Sequence, residues 1–346
     1  MSNSASSWTA NGSAGPASRR RRFRRMLTTP AGMQTMGGLW RRRALVFALN
    51  IVTYAGLLYW LAQILGHGGW SVLDGVLFVA FAIGTPWTVL GFWNAVIGFA
   101  LLHFHRNPMK SVAPFAVAQK VLANGALQVR TAVVMTLRNE DPARAISRLK
   151  AVKRSLDQTS DGHTFGYFVL SDTDDPVVAR EEERLIADWQ AMHEADGAAQ
   201  ISYRRRTDNK GFKAGNVRDF LEIMADGYDL MLPLDADSLM TGDAVVRLAR
   251  IMQAYPRLGI LQSLVVGSPT GSAFARIFQF GMRHGMRTYT MGHAWWTGEC
   301  GPFWGHNAMV RIAPFRDHCH LPVLKGKPPL GGHVLSHDQV EATLMR

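Results

Sequence analysis

The chain has 346 residues, a net charge of +12 and an apolar fraction of 47%, which is long enough for one well-buried catalytic domain plus further segments. The charge is concentrated: residues 1–43 hold nine arginines and no acid, leaving +3 for all that follows. The basicity therefore belongs to a tail, and no basic face for a nucleic-acid partner is indicated. Two cysteines, Cys300 and Cys319, cannot make a disulfide framework and read as reduced thiols without a redox role.

Residues 1–18 are rich in Ser, Ala, Gly and Asn and cannot bury enough apolar area to fold. With the clusters Arg19 to Arg25 and Arg41 to Arg43 they make an expected disordered basic tail, residues 1–43. A secretory signal is excluded, because the arginines run too long and the apolar run behind them is of spanning length. That run, residues 44–65, carries no charge and at about 1.5 Å per residue reaches roughly 33 Å, against a hydrocarbon core of about 30 Å. Gly75 to Leu102 is a second uncharged run, expected to kink at Pro86, with Trp60, Trp70 and Trp93 near the interfaces. The link from Gly66 to Asp74 has one acid and no Lys or Arg, while Arg106 and Lys110 follow the second run. The positive-inside bias puts both ends in the cytoplasm and the link outside. The expected organisation is thus a tail (1–43), a transmembrane hairpin (44–103) and a cytoplasmic domain (104–346).

From about Arg130 short apolar strands alternate with amphipathic helices. Strands are expected at Thr131–Thr136, Phe165–Leu170, Ile201–Tyr203, Leu230–Leu234 and Gly259–Gln262. Helices are expected from Asp141-Pro142 to about Gln158 and from Pro176, where Val178, Leu185, Trp189 and Met192 recur at helical spacing. This alternation argues for an α/β fold with a mostly parallel sheet covered on both faces. Ligands of such sheets bind at the carboxyl ends of the strands.

Three of those ends carry acids: Thr136-Leu-Arg-Asn-Glu140-Asp141, Ser171-Asp172-Thr-Asp174-Asp175 and Asp235-Ala-Asp237-Ser238. Gathered at one edge they would repel unless a cation or a ligand's donors relieved them. Asp235-x-Asp237 offers two hard oxygen ligands and leaves positions open for phosphate oxygens and water, as Mg²⁺ or Mn²⁺ prefers. An isolated Asp-x-Asp more often caps a helix; two further acidic strand ends favour the metal reading here. Lys213-Ala-Gly-Asn216 follows a basic stretch, Arg204 to Arg206 and Lys210. Its small residues allow close backbone approach at a helix start, and Lys213 is suited to a diphosphate. A solvated charge run remains the competing reading of Arg204 to Arg206. Trp304-Gly-His306-Asn307 lies in an aromatic-rich segment with Trp295, Trp296 and Phe303; such faces suit sugar rings, a membrane interface or a core equally. In Ser336-His337-Asp338 the Asp can serve as a general base for an attacking hydroxyl, and His337 reads as structural.

In this order the motifs resemble the processive, membrane-bound members of glycosyltransferase family 2, which include cellulose and hyaluronan synthases. Longer words are similar to the bacterial periplasmic glucan glucosyltransferases: YRRR at 203–206, LDADSLMTGD at 234–243, GILQS at 259–263, FWGHNAMVRIAPFRDHC at 303–319 and LSHDQVEATLMR at 335–346. The resemblance covers residues 130–346, and the two apolar runs agree with it. It implies a glycosyltransferase A-type, Rossmann-like sheet preceded by two transmembrane helices. Thr136, Glu140 and Asp172 would line the uridine pocket, Lys213 would meet the diphosphate, and Asp235 and Asp237 would hold nucleotide and metal. Asp338 would be the catalytic base, and Trp304, Gly305 and His306 would lie by the acceptor. The implied reaction is inverting transfer from UDP-glucose to a growing β-1,2-linked glucan, with Mg²⁺ or Mn²⁺, at the bacterial inner membrane. Implied partners besides donor, glucan and bilayer are an acyl carrier protein and a periplasmic glucan-processing protein.

One departure stands out. Such enzymes carry a Gln-x-x-Arg-Trp-type motif after the catalytic Asp and then further spans, and neither follows Asp338 here. The expectation is a fragment of a longer product or a truncated protein. The alternatives are another polysaccharide synthase, for cellulose or an amino-sugar polymer, and a non-catalytic, membrane-anchored nucleotide-sugar binder.

Overall fold

A computed structural model describes residues 36–118, 121, 125–194, 201–327 and 330–346; most of the expected basic tail lies outside them. Two long helices come first, α1 (Met36–Gly66) and α2 (Val72–Phe104). Both are long and apolar enough to cross a membrane, and only 6% and 11% of their most apolar windows are buried, so neither is a core helix of the domain behind them. Residues 36–43, expected within the disordered tail, are helical. Two of their three arginines face inward on the protein, Arg42 donating to the carbonyls of Ser111 and Trp295 and Arg43 to those of Trp296 and Thr297, while Arg41 is exposed.

Helix α2 runs on through Pro86. A proline cannot donate to the carbonyl four residues back, which here is that of Ala82. The Tyr54 hydroxyl of α1 donates to that carbonyl at 2.8 Å, so the group freed by Pro86 ties the two helices together.

After a short helix α3 (Pro108–Val112) the chain alternates: β1 (Thr131–Leu137), α4 (Pro142–Asp157), β2 (Phe165–Ser171), α5 (Pro176–Glu194), β3 (Ile201–Arg205), α6 (Phe212–Ile223), β4 (Leu230–Asp235), α7 (Gly242–Ala254), β5 (Ile260–Gln262), α8 (Ala273–Thr297), β6 (Ala308–Arg311) and α9 (Ile312–His318). A small hairpin, β7 (Val323–Leu324) with β8 (Gly332–His333), and α10 (His337–Leu344) follow. The six-stranded sheet has the order β3-β2-β1-β4-β6-β5. It is parallel throughout except for β6, which runs antiparallel to β4 and β5.

The period of two along a strand sorts its side chains onto two cores. Val133, Met135 and Leu137 of β1 pack with Leu149, Leu156, Val245 and Met252 of α4 and α7. Ala132 and Val134 pack on the other face with Phe220 and Leu221 of α6 and Phe315 of α9. Burial of each such large side chain contributes on the order of 2 kcal/mol. Caps fix where the helices start: Asp141 accepts from the Arg144 amide and Thr241 from that of Ala244.

The aromatic-rich segment divides between two places. Trp295 and Trp296 end α8, which packs along α2; Trp296 donates from Nε1 to buried Asn94 at 2.8 Å. The helices meet at glycines. A Cβ on Gly98 would stand 1.7 Å from the Thr288 carbonyl oxygen, and one on Gly292 would stand 1.9 Å from that of Asn94.

Candidate active site

The parallel register brings the acidic strand ends to one edge. Thr136 of β1 faces Leu170 of β2 and Asp235 of β4. The three acids there have different partners.

Asp172, just past β2, is almost wholly buried. Arg206 grips it through Nη2 to Oδ2 at 2.7 Å and Nε to Oδ1 at 2.8 Å, and Asn216 donates to Oδ1 at 2.8 Å. Arg206 also reaches Asp219 at 3.0 Å. The basic stretch thus splits by strand alternation. Arg204 and Arg206 turn inward, Arg204 onto the Asn216 carbonyl at 2.9 Å, while Arg205 pairs with Glu183 outside. The solvated-run reading holds for Arg205 and fails for its neighbours.

Glu140 lies in the loop after β1, accepting from the Arg138 amide. Partial desolvation of its carboxyl, with Glu182 and Asp235 adding negative charge, holds it above the usual carboxylate range. Beside it Asn139, at φ 58°, accepts from the amides of Asp174 and Asp175 at 3.2 and 3.1 Å and fixes the second acidic loop against the first.

Asp235 is half-exposed and central. Lys213, in the first turn of α6, forms an ion pair with its Oδ1. His306 Nε2 lies 3.9 Å from its Oδ2. Asn307 Oδ1 accepts from Ser238 Oγ at 2.6 Å and contacts His306 Nδ1 at 2.8 Å. An amide oxygen only accepts, so Nδ1 carries the proton there and Nε2 is left facing Asp235. Asp237 is exposed next to buried Ala236. Among the described residues no group of three His, Cys, Asp or Glu side chains could hold a metal by itself. Asp235 and Asp237 supply hard oxygen donors, which fit Mg²⁺ or Mn²⁺ only if a ligand such as a diphosphate completes the coordination.

The residues expected on the acceptor side lie around Gly305. Gly305 has φ 72°, and a Cβ placed on it would lie 3.6 Å from Asp338 Cβ, 3.6 Å from His337 Cε1 and 3.8 Å from Lys213 Nζ. Asp338 lies in the first turn of α10, where its carboxylate accepts from the Gln339 amide at 3.0 Å, and it and Lys213 both border Gly305. His337 is pinned by Glu341, Nδ1 to Oε2 at 2.8 Å, one turn along α10. Gln262 of β5 holds the Trp304–Asn307 loop, accepting from the Trp304 amide at 3.0 Å and donating to the His306 carbonyl at 3.1 Å. Gln262, Asn139, Ser238 and Arg206 were not singled out as site-forming in the sequence. A buried-type strand ending in Gln and an Asn after an apolar strand were the available signals. Thr136 touches the Leu234 carbonyl at 3.5 Å at the floor of this edge.

A protein from Xanthomonas campestris pv. campestris, glucans biosynthesis glucosyltransferase H, is 39% identical over 309 residues, 89% of this chain and 47% of that protein. Its counterpart from Rhodopseudomonas palustris is 38% identical over 307 residues, 89% of this chain and 41% of that protein. This chain is thus similar to proteins named glucans biosynthesis glucosyltransferase H. It spans about half the length of the curated relatives it matches. No protein-family model matches the chain. A mannosyltransferase from Pyrobaculum calidifontis, solved with GDP-Man and Mn²⁺, is similar at a TM-score of 0.40 and 16% identity, over 73% of this chain and 63% of that one. That likeness is too distant to bear on the site. In this site YRRR at 203–206 supplies Arg206, LDADS at 234–238 supplies Asp235 to Ser238, and FWGHN at 303–307 supplies the loop beside Asp235.

Proposed function

We propose that this chain carries the donor and general-base half of an inverting glucosyltransferase site, which transfers glucose from UDP-glucose to a growing β-1,2-linked glucan. The observation that carries the reading is the convergence of Asp235, Lys213, Gly305, His306 and Asp338 from four separate segments at one sheet edge. The names of the homologues support the glucosyl group; donor nucleotide and linkage rest on the resemblance.

In this reading the Asp338 carboxylate takes the proton of the acceptor hydroxyl as that oxygen bonds the anomeric carbon. The bond from that carbon to the diphosphate breaks on the opposite face, and Lys213 meets the charge left on UDP. Asp235 and Asp237 would hold Mg²⁺ or Mn²⁺, which supplies charge neutralisation at the diphosphate when bound. Thr136, Glu140 and the Arg206-locked Asp172 form the nucleotide wall, with Asp172 shaping it rather than offering a free carboxylate. Trp304, Gly305 and His306 face the acceptor.

Residues 1–43 form the tail and the head of the first span, α1 and α2 cross the bacterial inner membrane, and residues 104–346 lie in the cytoplasm as part of a multi-pass protein. The acyl carrier protein and the periplasmic processing protein are implied by the resemblance alone. The test is turnover by the full-length membrane protein in vesicles. UDP-glucose consumption that stops with a chelator and yields a β-1,2-linked product is expected. A β-1,4-linked product would point to a cellulose-like synthase, and UDP binding without transfer would point to the non-catalytic binder.

A further inference from the structure

Glu341 is a charged group that the proposed transfer leaves unused. It lies one turn into α10 and is only 4% exposed. Its carboxylate has one polar partner among the described residues, His337, whose Nδ1 lies 2.8 Å from Oε2. Taking a carboxylate out of water costs stability, and one imidazole four residues back along a helix offsets little of that cost. What the pair does fix is the imidazole. A carboxylate only accepts, so Nδ1 carries the proton and Nε2 is left with a lone pair.

That lone pair is open. The His337 side chain is 13% exposed, and Nε2 makes no hydrogen bond among the described residues and is not sealed from solvent. The ring carbon bonded to it, Cε1, lies 3.6 Å from the point that a Cβ on Gly305 would occupy. Asp338 Cβ lies 3.6 Å and Lys213 Nζ 3.8 Å from the same point. Gln339 ties this turn of α10 to the Phe303 carbonyl at 3.0 Å. The imidazole and the Asp338 carboxylate therefore border one corner of the Trp304–His306 loop from a single anchored turn.

We propose that His337 is a further acceptor-binding residue, whose Nε2 accepts a hydrogen bond from a second hydroxyl of the sugar that Asp338 deprotonates. Glu341 is the positioning residue that keeps the proton on Nδ1. The inference rests on the reading of Asp338 as the base. Two hydrogen-bond acceptors at one corner suit two hydroxyls of one sugar ring, so His337 orients the ring while Asp338 takes the proton.

The test uses the full-length membrane protein in vesicles with labelled UDP-glucose, reading glucose built into glucan against glucose released to water, together with the donor KM. Asparagine at 337 places an amide where Nδ1 stands, so it can keep the Glu341 bond but has no atom at Nε2. Glutamine does the reverse. Loss of one hydrogen bond to the acceptor should lower the ratio of transfer to hydrolysis about fivefold in His337→Asn, with donor KM unchanged. His337→Gln should keep the wild-type ratio. Glu341→Gln removes the charge that holds the proton on Nδ1 and should lower the ratio as Asn does. A purely structural histidine gives the opposite order, Asn unchanged and Gln impaired, and that order would overturn the proposal. A wild-type ratio in Glu341→Gln would remove the positioning role of Glu341. Should the Asn variant not fold, the Gln variant decides: a wild-type ratio supports the proposal and a lowered one overturns it. A wild type that consumes no UDP-glucose, or normal synthesis by Asp338→Asn, loses the underlying reading and this one together. A wild type that transfers glucose beside an Asn variant of equal ratio loses only this inference.

Discussion

Asp172 and Asp235 follow the two parallel strands that flank β1 and look alike in sequence, yet their surroundings differ. At the β2 edge the carboxylate is almost fully buried, and its oxygens are taken up by Arg206 and Asn216. At the β4 edge the carboxylate is half-exposed, paired with Lys213 through Oδ1 and with His306 Nε2 3.9 Å from Oδ2. Under the proposed function the acid open to a ligand is the half-exposed Asp235, while the buried Asp172 shapes the site. A buried guanidinium held from several sides cannot leave, whereas Lys213 on a flexible stem can turn to a phosphate.

The largest expected effect tests that difference directly. Asp172→Ala leaves Arg206 buried with part of its charge unmatched and should cost about 3–5 kcal/mol, near the lower end because Asp219 remains. Asp235→Ala breaks a half-exposed pair and should cost about 1 kcal/mol or less. Thermal unfolding of both variants in detergent checks this, and equal losses would erase the contrast.

A second contrast lies between the sheet domain and the hairpin, which are joined by the contact of Gly98 with Gly292. Gly292→Ala drives a methyl into the Asn94 carbonyl and should destabilise by about 1–3 kcal/mol, with the Asn94–Trp296 bond the first to go. A tryptophan fluorescence shift tracks that loss, and an unchanged spectrum and melting curve would mean that α8 is not seated on α2 this tightly. Arg43→Ala removes donors from the carbonyls ending α8 and should cost about 1 kcal/mol, read by the same melting curve.

The smallest effect is at Glu140. Its carboxyl sits above the usual range, chiefly through desolvation. A folded-state value above the unfolded one means that ionisation costs stability, and this cost is absent in acid and fully present once pH exceeds the folded value. Glu140→Gln should therefore leave acid stability unchanged and slightly raise stability at neutral pH. A gain confined to acid would reverse the sign and refute the assignment.

Much of this was legible beforehand for a physical reason. β1, β2 and β4 are buried on both faces, so their apolar runs and the acids that end them stand out without knowledge of neighbours. Pro86 was expected to kink its helix, but the partner that absorbs its missing bond, Tyr54, belongs to another element and was not legible. The short β6 owes its strand character to pairing with β4 and β5 rather than to its own four residues. Arg206 carried no local signal to set it apart from Arg205. Only the pleat direction relative to a sheet not yet built sends one inward and the other out. Trp296 and Trp304 share a composition but serve the hairpin and the cleft respectively, which depends on where α8 ends.

The central proposal is that Asp338, which borders the Gly305 turn together with Lys213, is the base of a glucosyl transfer. The direct measurement is glucan synthesis by the full-length membrane protein carrying Asp338→Asn, alongside UDP binding by the same preparation. A fall in turnover of about 10²–10⁴ with UDP binding retained is predicted, and normal synthesis by that variant would contradict the account.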